Sequence, residues 1–298
     1  ALCCKPHQSQ ENTLEMIRYF RLIKFSHTIF SLPFALVGFL FALYSGFELP
    51  SWLTALWILL ALVAARTAAM SFNRWTDHRI DAKNPRTQNR EIPAGVIKPT
   101  QALMLTIISS AVFVLLAALI NELCLWLSPV ALLVILGYSY TKRFTALAHI
   151  VLGIGLGIAP AATFIAVTGT FDPGLLFLCF GVMLWTAGFD IIYALQDMEF
   201  DRQEKLHSIP VTLGYKRSLL LAALFHAVSI MLMFHFGFIV YGDIIALSGV
   251  VLFSLMLVYQ HLIVRMYGLK KINLAFGTMN GVASLVFGAA YLLEFLLR

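Results

Sequence analysis

The sequence predicts an all-α membrane protein, a bundle of about nine transmembrane helices carrying an internal four-helix repeat. Three observations carry this. Of the 298 residues, 60% are hydrophobic and 12% charged, where a water-soluble domain has about a quarter charged, and the mean hydropathy is +0.85. Nine stretches lack Asp, Glu, Lys and Arg altogether. The basic residues fall almost entirely into alternate connections between those stretches. A soluble fold of this composition could not cover its outside with polar groups, and no stretch alternates polar and apolar residues as a lipid-facing barrel requires.

The first stretch, Phe25–Phe47, follows a polar segment over residues 1–24; it is too long for a removable signal peptide and lacks a small-residue cleavage site. The second, Leu49–Ala65, and the sixth, Pro173–Phe189, are the shortest. A helix needs about 20 residues to cross a ~30 Å hydrocarbon layer. Each of these two resumes as apolar sequence after one charge, Arg66 and Asp190, and is expected to stay helical to about Asp77 and Asp201. The others, Pro99–Asn121, Leu123–Thr141, Phe144–Phe171, Ser218–Gly242, Ile244–Val264 and Ile272–Leu293, have spanning length as they stand.

If all nine cross, 19 of the 21 Lys and Arg share one side: Lys5, Arg18, Arg21 and Lys24, six from Arg74 to Lys98, Lys142 and Arg143, four from Arg202 to Arg217, and Arg265, Lys270 and Lys271. The opposite connections hold Glu48, Glu122, Asp172 and Asp243 and no base. By the positive-inside rule this predicts a multi-pass protein of the cytoplasmic (inner) membrane, N-terminus cytoplasmic and C-terminus outside. The net charge of +6 thus orients the chain and gives no support to a nucleic-acid partner. Cys3, Cys4, Cys124 and Cys179 have no metal-site or disulfide spacing, although the adjacent Cys3–Cys4 pair is compatible with lipidation. The whole chain, 1–298, is expected to be one domain, with functional cytoplasmic loops at about 74–98 and 199–217.

The entrances to those loops carry the chemistry. In F-N-R-W-T-D-H-R-I-D, Asn73, Asp77 and Asp81 are spaced by four and share a helix face; Tyr193, Asp197 and Asp201 repeat the spacing. Arg66 and Asp190, Asn73 and Asp197, and Asp77 and Asp201 are each separated by 124 residues. Four crossings is an even number, so both copies bring their acids to one surface. Like charges at that spacing repel and need a counter-charge. Mg²⁺, which takes one or two carboxylates, several waters and substrate phosphate oxygens, is the economical one. The alternative is a solvated rim in which the acids pair with Arg74, Arg79, Arg86, Arg90, Arg202 and Lys205. Arg66 and Asp190 lie inside spans, where an ionisable group costs ~2.5–3.5 kcal/mol and marks a functional site by default; they either pair with each other or face a cavity. Lys142 and Arg143, closing Y-S-Y-T-K-R-F-T, serve as interfacial anchors or, beside metal sites, as diphosphate ligands. His27, His149, His207, His226, His235 and His261 have no ligand spacing, and Gly153, Gly155 and Gly157 predict close helix packing rather than a phosphate loop.

These residues resemble the UbiA superfamily of intramembrane aromatic prenyltransferases. The resemblance rests on N-R-W-T-D-H-R-I-D with the later N-R-E-I-P-A-G, on Y-x-x-x-D-x-x-x-D over Tyr193–Asp201, on the Arg seven before Asn73, and on Y-x-x-T-K-R-F-T-like sequence before the fifth span. It extends over nearly the whole chain and is strongest toward bacterial 4-hydroxybenzoate polyprenyltransferases of ubiquinone synthesis and the similar enzymes of menaquinone synthesis. One departure is L-H-S-I-P after the second motif, where a Lys-Ser/Thr pair is expected. The resemblance implies Mg²⁺ held by Asn73, Asp77, Asp197 and Asp201 with support from Asp81, bridging the diphosphate of a polyprenyl donor. It implies that Lys142, Arg143 and Arg74 neutralise the departing pyrophosphate, and that Tyr193 orients a metal ligand or the diphosphate. Asp190 would activate the phenol of an acceptor such as 4-hydroxybenzoate or take its ring proton, and Arg66 and Arg21 would bind the acceptor carboxylate. An aromatic- and Met-lined cavity open to the lipid bilayer is expected for the allylic cation. A haem- or chlorophyll-type acceptor is the alternative within this chemistry. A cation transporter would put its acids near the bilayer midplane on broken helices, whereas here they cluster at helix ends.

Overall fold

The computed structural model describes residues 18, 19, 21–23, 30–242 and 244–298. Cys3, Cys4, Lys5, Lys24, His27, Asp243 and the start of the first predicted span lie outside them. The described residues form α1 (Leu32–Tyr44), α2 (Trp52–Asp81), α3 (Pro99–Ile120), α4 (Glu122–Thr141), α5 (Ala148–Thr168), α6 (Leu175–Ala194), α7 (Met198–Gln203), α8 (Ile209–Phe236), α9 (Ile244–Tyr267) and α10 (Asn280–Leu297), and no strand. Among the described residues, eight helical runs are long and apolar enough to cross a bilayer, and α1 is a shorter apolar ninth.

Local chemistry sets the ends. Ser51 caps α2 by accepting the Thr54 N–H at 3.1 Å, the usual role of a hydroxyl before a helix. Helix α2 then runs 30 residues without a break, past Arg66 and through Asp81. The matching segment of the second half differs. Helix α6 ends at Ala194 and tightens into a 3₁₀ turn over Leu195–Asp197 before α7, and the Gln196 side chain donates to the Tyr193 carbonyl at 3.0 Å. The straight stripe expected of Tyr193, Asp197 and Asp201 is therefore broken, because a 3₁₀ turn has three residues per turn instead of 3.6. The seventh span also starts before Ser218. Ser208 caps α8, Pro210 sits in its first turn, and the chain bends at Gly214, whose φ of +74° favours glycine.

The internal repeat appears as packing. Helix α2 lies along α3 as α6 lies along α8, and α4 packs on α5 as α9 packs on α10. Helix α1 joins the halves by packing on both α5 and α10. A core of aromatic rings sits where α1, α6, α9 and α10 meet: Phe34 packs on Trp185 at 5.0 Å between centroids and on Phe287 at 5.2 Å. The Trp185 indole N–H donates to Asn280 Oδ1 at 2.9 Å, satisfying a donor that would be costly to bury alone. Asn280 in turn donates to the Ala275 and Phe276 carbonyls, which a π turn over Leu274–Met279 has taken out of the regular ladder.

Close packing of α5 on α6 depends on two glycines. A Cβ at Gly153 would overlap the Met183 carbonyl oxygen, and one at Gly157 would lie 2.6 Å from that of Cys179. Gly153→Val is therefore expected to push the helices apart and to destabilise the protein by about 1–3 kcal/mol, read as a lower melting temperature in detergent. An unchanged melting temperature would mean that the helix pair relaxes freely.

Candidate active site

The C-terminal ends of α2, α4 and α6 and the connection from Ala82 to Lys98 converge at one end of the bundle. That connection is ordered by its own hydrogen bonds. Thr87 donates through Oγ1 to the Asp81 carbonyl at 3.1 Å, and the Val96 and Ile97 amides both donate to the Glu91 carbonyl. Ile92 and Ile97 anchor it by packing with Leu22 and Ala102. The loop is thus held over the site by apolar contacts and backbone bonds rather than by charge alone.

Asp77, buried with a side chain 4% exposed, is the centre of one polar cluster. Its Oδ2 accepts from Lys142 Nζ at 2.6 Å and from Asn73 Nδ2 at 3.2 Å. Its Oδ1 accepts from Arg143 Nη2 at 3.3 Å, and the same nitrogen donates to the Thr76 carbonyl. Asp197 is the centre of the second. Its Oδ1 accepts from Asn84 Nδ2 at 3.0 Å and from Arg86 Nε at 2.8 Å, while Arg86 Nη2 reaches Oδ2. Arg86 Nη1 also donates to the Tyr193 hydroxyl at 3.0 Å. Burial works against the Arg86 charge, but the Asp197 carboxylate outweighs it and holds the guanidinium above its usual pKa. Asp201 lies within electrostatic reach of both Asp197 and Lys142. Lys142, bonded to Asp77, is thus also an electrostatic neighbour of Asp201, and the two acidic sets lie at the same end of the bundle.

Asp81 has a different partner. Both its oxygens accept from Arg90 Nη1, at 2.8 and 2.7 Å, with Arg74 Nη1 4.0 Å away. Arg74 also donates through Nε to the Leu22 carbonyl at 3.3 Å. Arg74 and Arg21, with Arg86, Arg90, Tyr193 and Asn273, line a polar cavity of about 390 Å³ beside the Asp197 cluster. Of the rim pairings considered from sequence, Arg86 with Asp197 and Arg90 with Asp81 form, while Arg202 pairs with Glu199.

Deeper along the same faces lie Arg66, seven residues before Asn73, and Asp190, seven before Asp197. They do not pair with each other. Asp190 Oδ2 lies 2.7 Å from His149 Nδ1, and Arg66 Nε is buried without a partner among the described residues. Tyr138 stands within electrostatic range of Asp77, Arg74 and Asp190. Further along again, α2 to α6 line a partly open apolar cavity of about 740 Å³ whose walls include Leu62, Phe113, Ala131, Gly157, Ala161 and Met183. Leu62 is one turn before Arg66, Ala131 two turns before Tyr138, and Met183 two turns before Asp190. The cavity wall thus lies one to two turns from the polar site along the same three helices. Phe113, Phe171, Phe180 and Met183 contribute to a lining that is mainly aliphatic and small.

The chemistry of the donor set bears on a metal. Asn73, Asp77, Asp197 and Asp201 offer oxygen donors, the choice of a hard cation. Among the described residues no three His, Cys, Asp or Glu side chains come together as a closed cage. The set suits an ion that completes its shell with water and substrate oxygens, as Mg²⁺ does. The basic groups on Asp77 and Asp197 meanwhile supply the positive charge those carboxylates require.

Residues 31–286 match the UbiA prenyltransferase family. The chain belongs to that family. This UbiA protein is 29% identical to the 4-hydroxybenzoate octaprenyltransferase of Nitrosomonas europaea, over 80% of this chain and 82% of that one. It is 27% identical to the enzyme of the same name from Janthinobacterium sp., over 94% and 98%. The apo structure of a UbiA homolog from Aeropyrum pernix K1 superposes with a TM-score of 0.81 at 33% identity, covering 90% of this chain and 98% of that one. A UbiA homolog from Archaeoglobus fulgidus, solved with GPP and Mg²⁺, has the same fold, with a TM-score of 0.74 at 22% identity over 93% and 99%. The protein is accordingly a multi-pass membrane prenyltransferase.

Arg86, Asn84 and His149 enter the site from outside the sequence motifs. Arg86 and Asn84 stand on a loop that folds back over 111 and 113 residues to reach Asp197, a pairing no periodicity encodes. His149 had one local signal, its place four residues before Gly153 on the face that packs closely against α6.

Proposed function

We propose that the protein transfers a polyprenyl group from a polyprenyl diphosphate to the ring carbon beside the hydroxyl of 4-hydroxybenzoate, in ubiquinone or menaquinone synthesis. The observation that carries this is two acid clusters, each already holding bases, at one end of helices whose further turns line an apolar cavity of about 740 Å³. A diphosphate head with an isoprenoid tail has that division of chemistry. The names of the curated relatives support the acceptor, and GPP with Mg²⁺ in the Archaeoglobus fulgidus homolog supports donor and cofactor.

Asn73, Asp77, Asp197 and Asp201 would hold Mg²⁺, and Asp81 would support them indirectly by fixing Arg90 and the loop. When bound, Mg²⁺ supplies Lewis-acid neutralisation of the diphosphate, worth several kcal/mol where charge develops. Lys142, Arg143 and Arg74 offset the remaining charge as the allylic C–O bond breaks and its electron pair leaves with diphosphate; fixed positive groups in a water-poor site are strongest there. Tyr193 keeps Arg86 and Asp197 aligned. Arg66 and Arg21 bind the acceptor carboxylate. The ring carbon then bonds the allylic carbon while Asp190 accepts the phenol proton; the ring proton passes to the departed diphosphate as Asp190 returns its proton to the oxygen, restoring the aromatic phenol. The 1–298 domain sits in the inner membrane, N-terminus cytoplasmic and C-terminus outside, with the site facing the cytoplasm.

Purified protein in detergent, given a polyprenyl diphosphate and 4-hydroxybenzoate, is expected to form prenylated product with Mg²⁺ and none with EDTA. Turnover undiminished by EDTA would remove the metal assignment. Donor consumption only with another phenol or naphthalene-type acceptor would move the pathway.

A further inference from the structure

We infer that His149 is a positioning residue for Asp190, and that the pair acts on the acceptor's phenol proton. The inference rests on the reaction proposed above and assigns the fate of that proton. His149 is the second residue of α5, 4% exposed, and its Nδ1 lies 2.7 Å from Asp190 Oδ2. It shares a helix face with Gly153 and Gly157, the two positions where α5 approaches the α6 backbone too closely for a Cβ. On α6, Cys179, Met183 and Asp190 form the answering face. The small-residue stripe thus brings a buried imidazole into contact with a carboxylate 41 residues away.

The geometry fixes the tautomer that is useful. With the proton on Nδ1, the imidazole donates to Oδ2 and holds Asp190 in one rotamer. Asp190 Oδ1 makes no hydrogen bond to protein among the described residues, and its side chain keeps 24% exposure in an otherwise buried neighbourhood. It is therefore the oxygen that faces incoming substrate. A phenol O–H that hydrogen-bonds to Oδ1 transfers its proton to Asp190 as electron density moves into the ring and the ring carbon bonds the allylic carbon. His149 changes no bond in this step. Its Nε2 is buried without a partner among the described residues, an acceptor kept away from water, which suits a group whose task is orientation.

A purely structural histidine predicts uniform damage, so the test compares acceptors. His149→Ala and His149→Asn would be assayed in detergent with a polyprenyl diphosphate, Mg²⁺, and either 4-hydroxybenzoate or its 3-fluoro analogue, whose phenol is more acidic. His149→Ala is expected to lower kcat for 4-hydroxybenzoate about 30-fold, within the range for supporting groups and general bases, with the donor KM unchanged. The loss relative to wild type should shrink several-fold with the fluorinated acceptor, which needs less help to lose its proton. His149→Asn, whose amide nitrogen takes the place of Nδ1, should recover most of the activity, and a thermal unfolding scan of each variant fixes the folded fraction used to normalise the rates. Equal losses with both acceptors, or no recovery in His149→Asn, would overturn the positioning role while leaving the transferase reading intact. Failure of the wild type to prenylate either acceptor would overturn that reading, and the role of His149 with it.

Discussion

Replacing Asp77 or Asp197 by alanine is expected to cut prenyl transfer by about a thousandfold, equivalent to about 4 kcal/mol of transition-state stabilisation, with the protein still folded. The size follows from what each carboxylate holds. Asp77 gathers Lys142, Arg143 and Asn73, and Asp197 gathers Arg86 and Asn84, so losing one acid removes an oxygen proposed to hold the metal and releases the bases proposed to meet the leaving group. The cost in stability is smaller. A fully buried pair broken on one side costs ~3–5 kcal/mol, but Lys142 and Arg143 each keep 30% side-chain exposure and can turn toward solvent, so a loss nearer ~1 kcal/mol is expected. Rates measured at saturating Mg²⁺ and donor, beside melting temperatures, separate the two effects. Asp77→Asn and Asp197→Asn keep shape but lose charge and should be nearly as inactive. Full activity in both alanine variants would end the metal assignment.

The sequence made the continuity of α2 through Arg66 legible, because polar residues at seven- and four-residue intervals can only share a face if the helix does not stop. The common offset of 124 residues likewise announced the packing repeat, since two segments with the same polar register must present their acids alike. It did not reveal the 3₁₀ turn at Leu195–Asp197, where the competing conformation only moves each backbone hydrogen bond from the fourth residue to the third and needs no change in composition. Partners separated by many residues were also hidden. Arg86 looked like any other base in a polar loop, and the sequence left Asp190 either paired with Arg66 or facing a cavity until α5 placed His149 beside it. Charge counting finds the groups that need compensation; tertiary packing decides which group provides it.

The apolar chamber gives the second large effect. Ala131→Trp and Ala161→Phe project bulk into its walls and are expected to lower kcat/KM for a long polyprenyl diphosphate about 100-fold, while geranyl diphosphate is turned over within about threefold of wild type. Hydrophobic transfer cannot be the reason, because lipid is as apolar as the chamber wall and a tail displaced into the bilayer loses little solvation energy. The effect is geometric. Leu62, Ala131 and Met183 of the cavity wall stand one to two turns from Arg66, Tyr138 and Asp190 on the same helices, so a tail that runs along those faces and meets the new bulk would draw its diphosphate away from Asp77 and Asp197, and a displacement of ~1 Å at the reacting atoms costs about 100-fold. A short donor ends before the obstruction and keeps its alignment. Matched kinetics with donors of increasing length would show a threshold set by the depth of the substituted residue. Equal rates with all donors in both variants would mean that the chain leaves the site by another route, sideways into the bilayer, and that the chamber serves some other part of the protein.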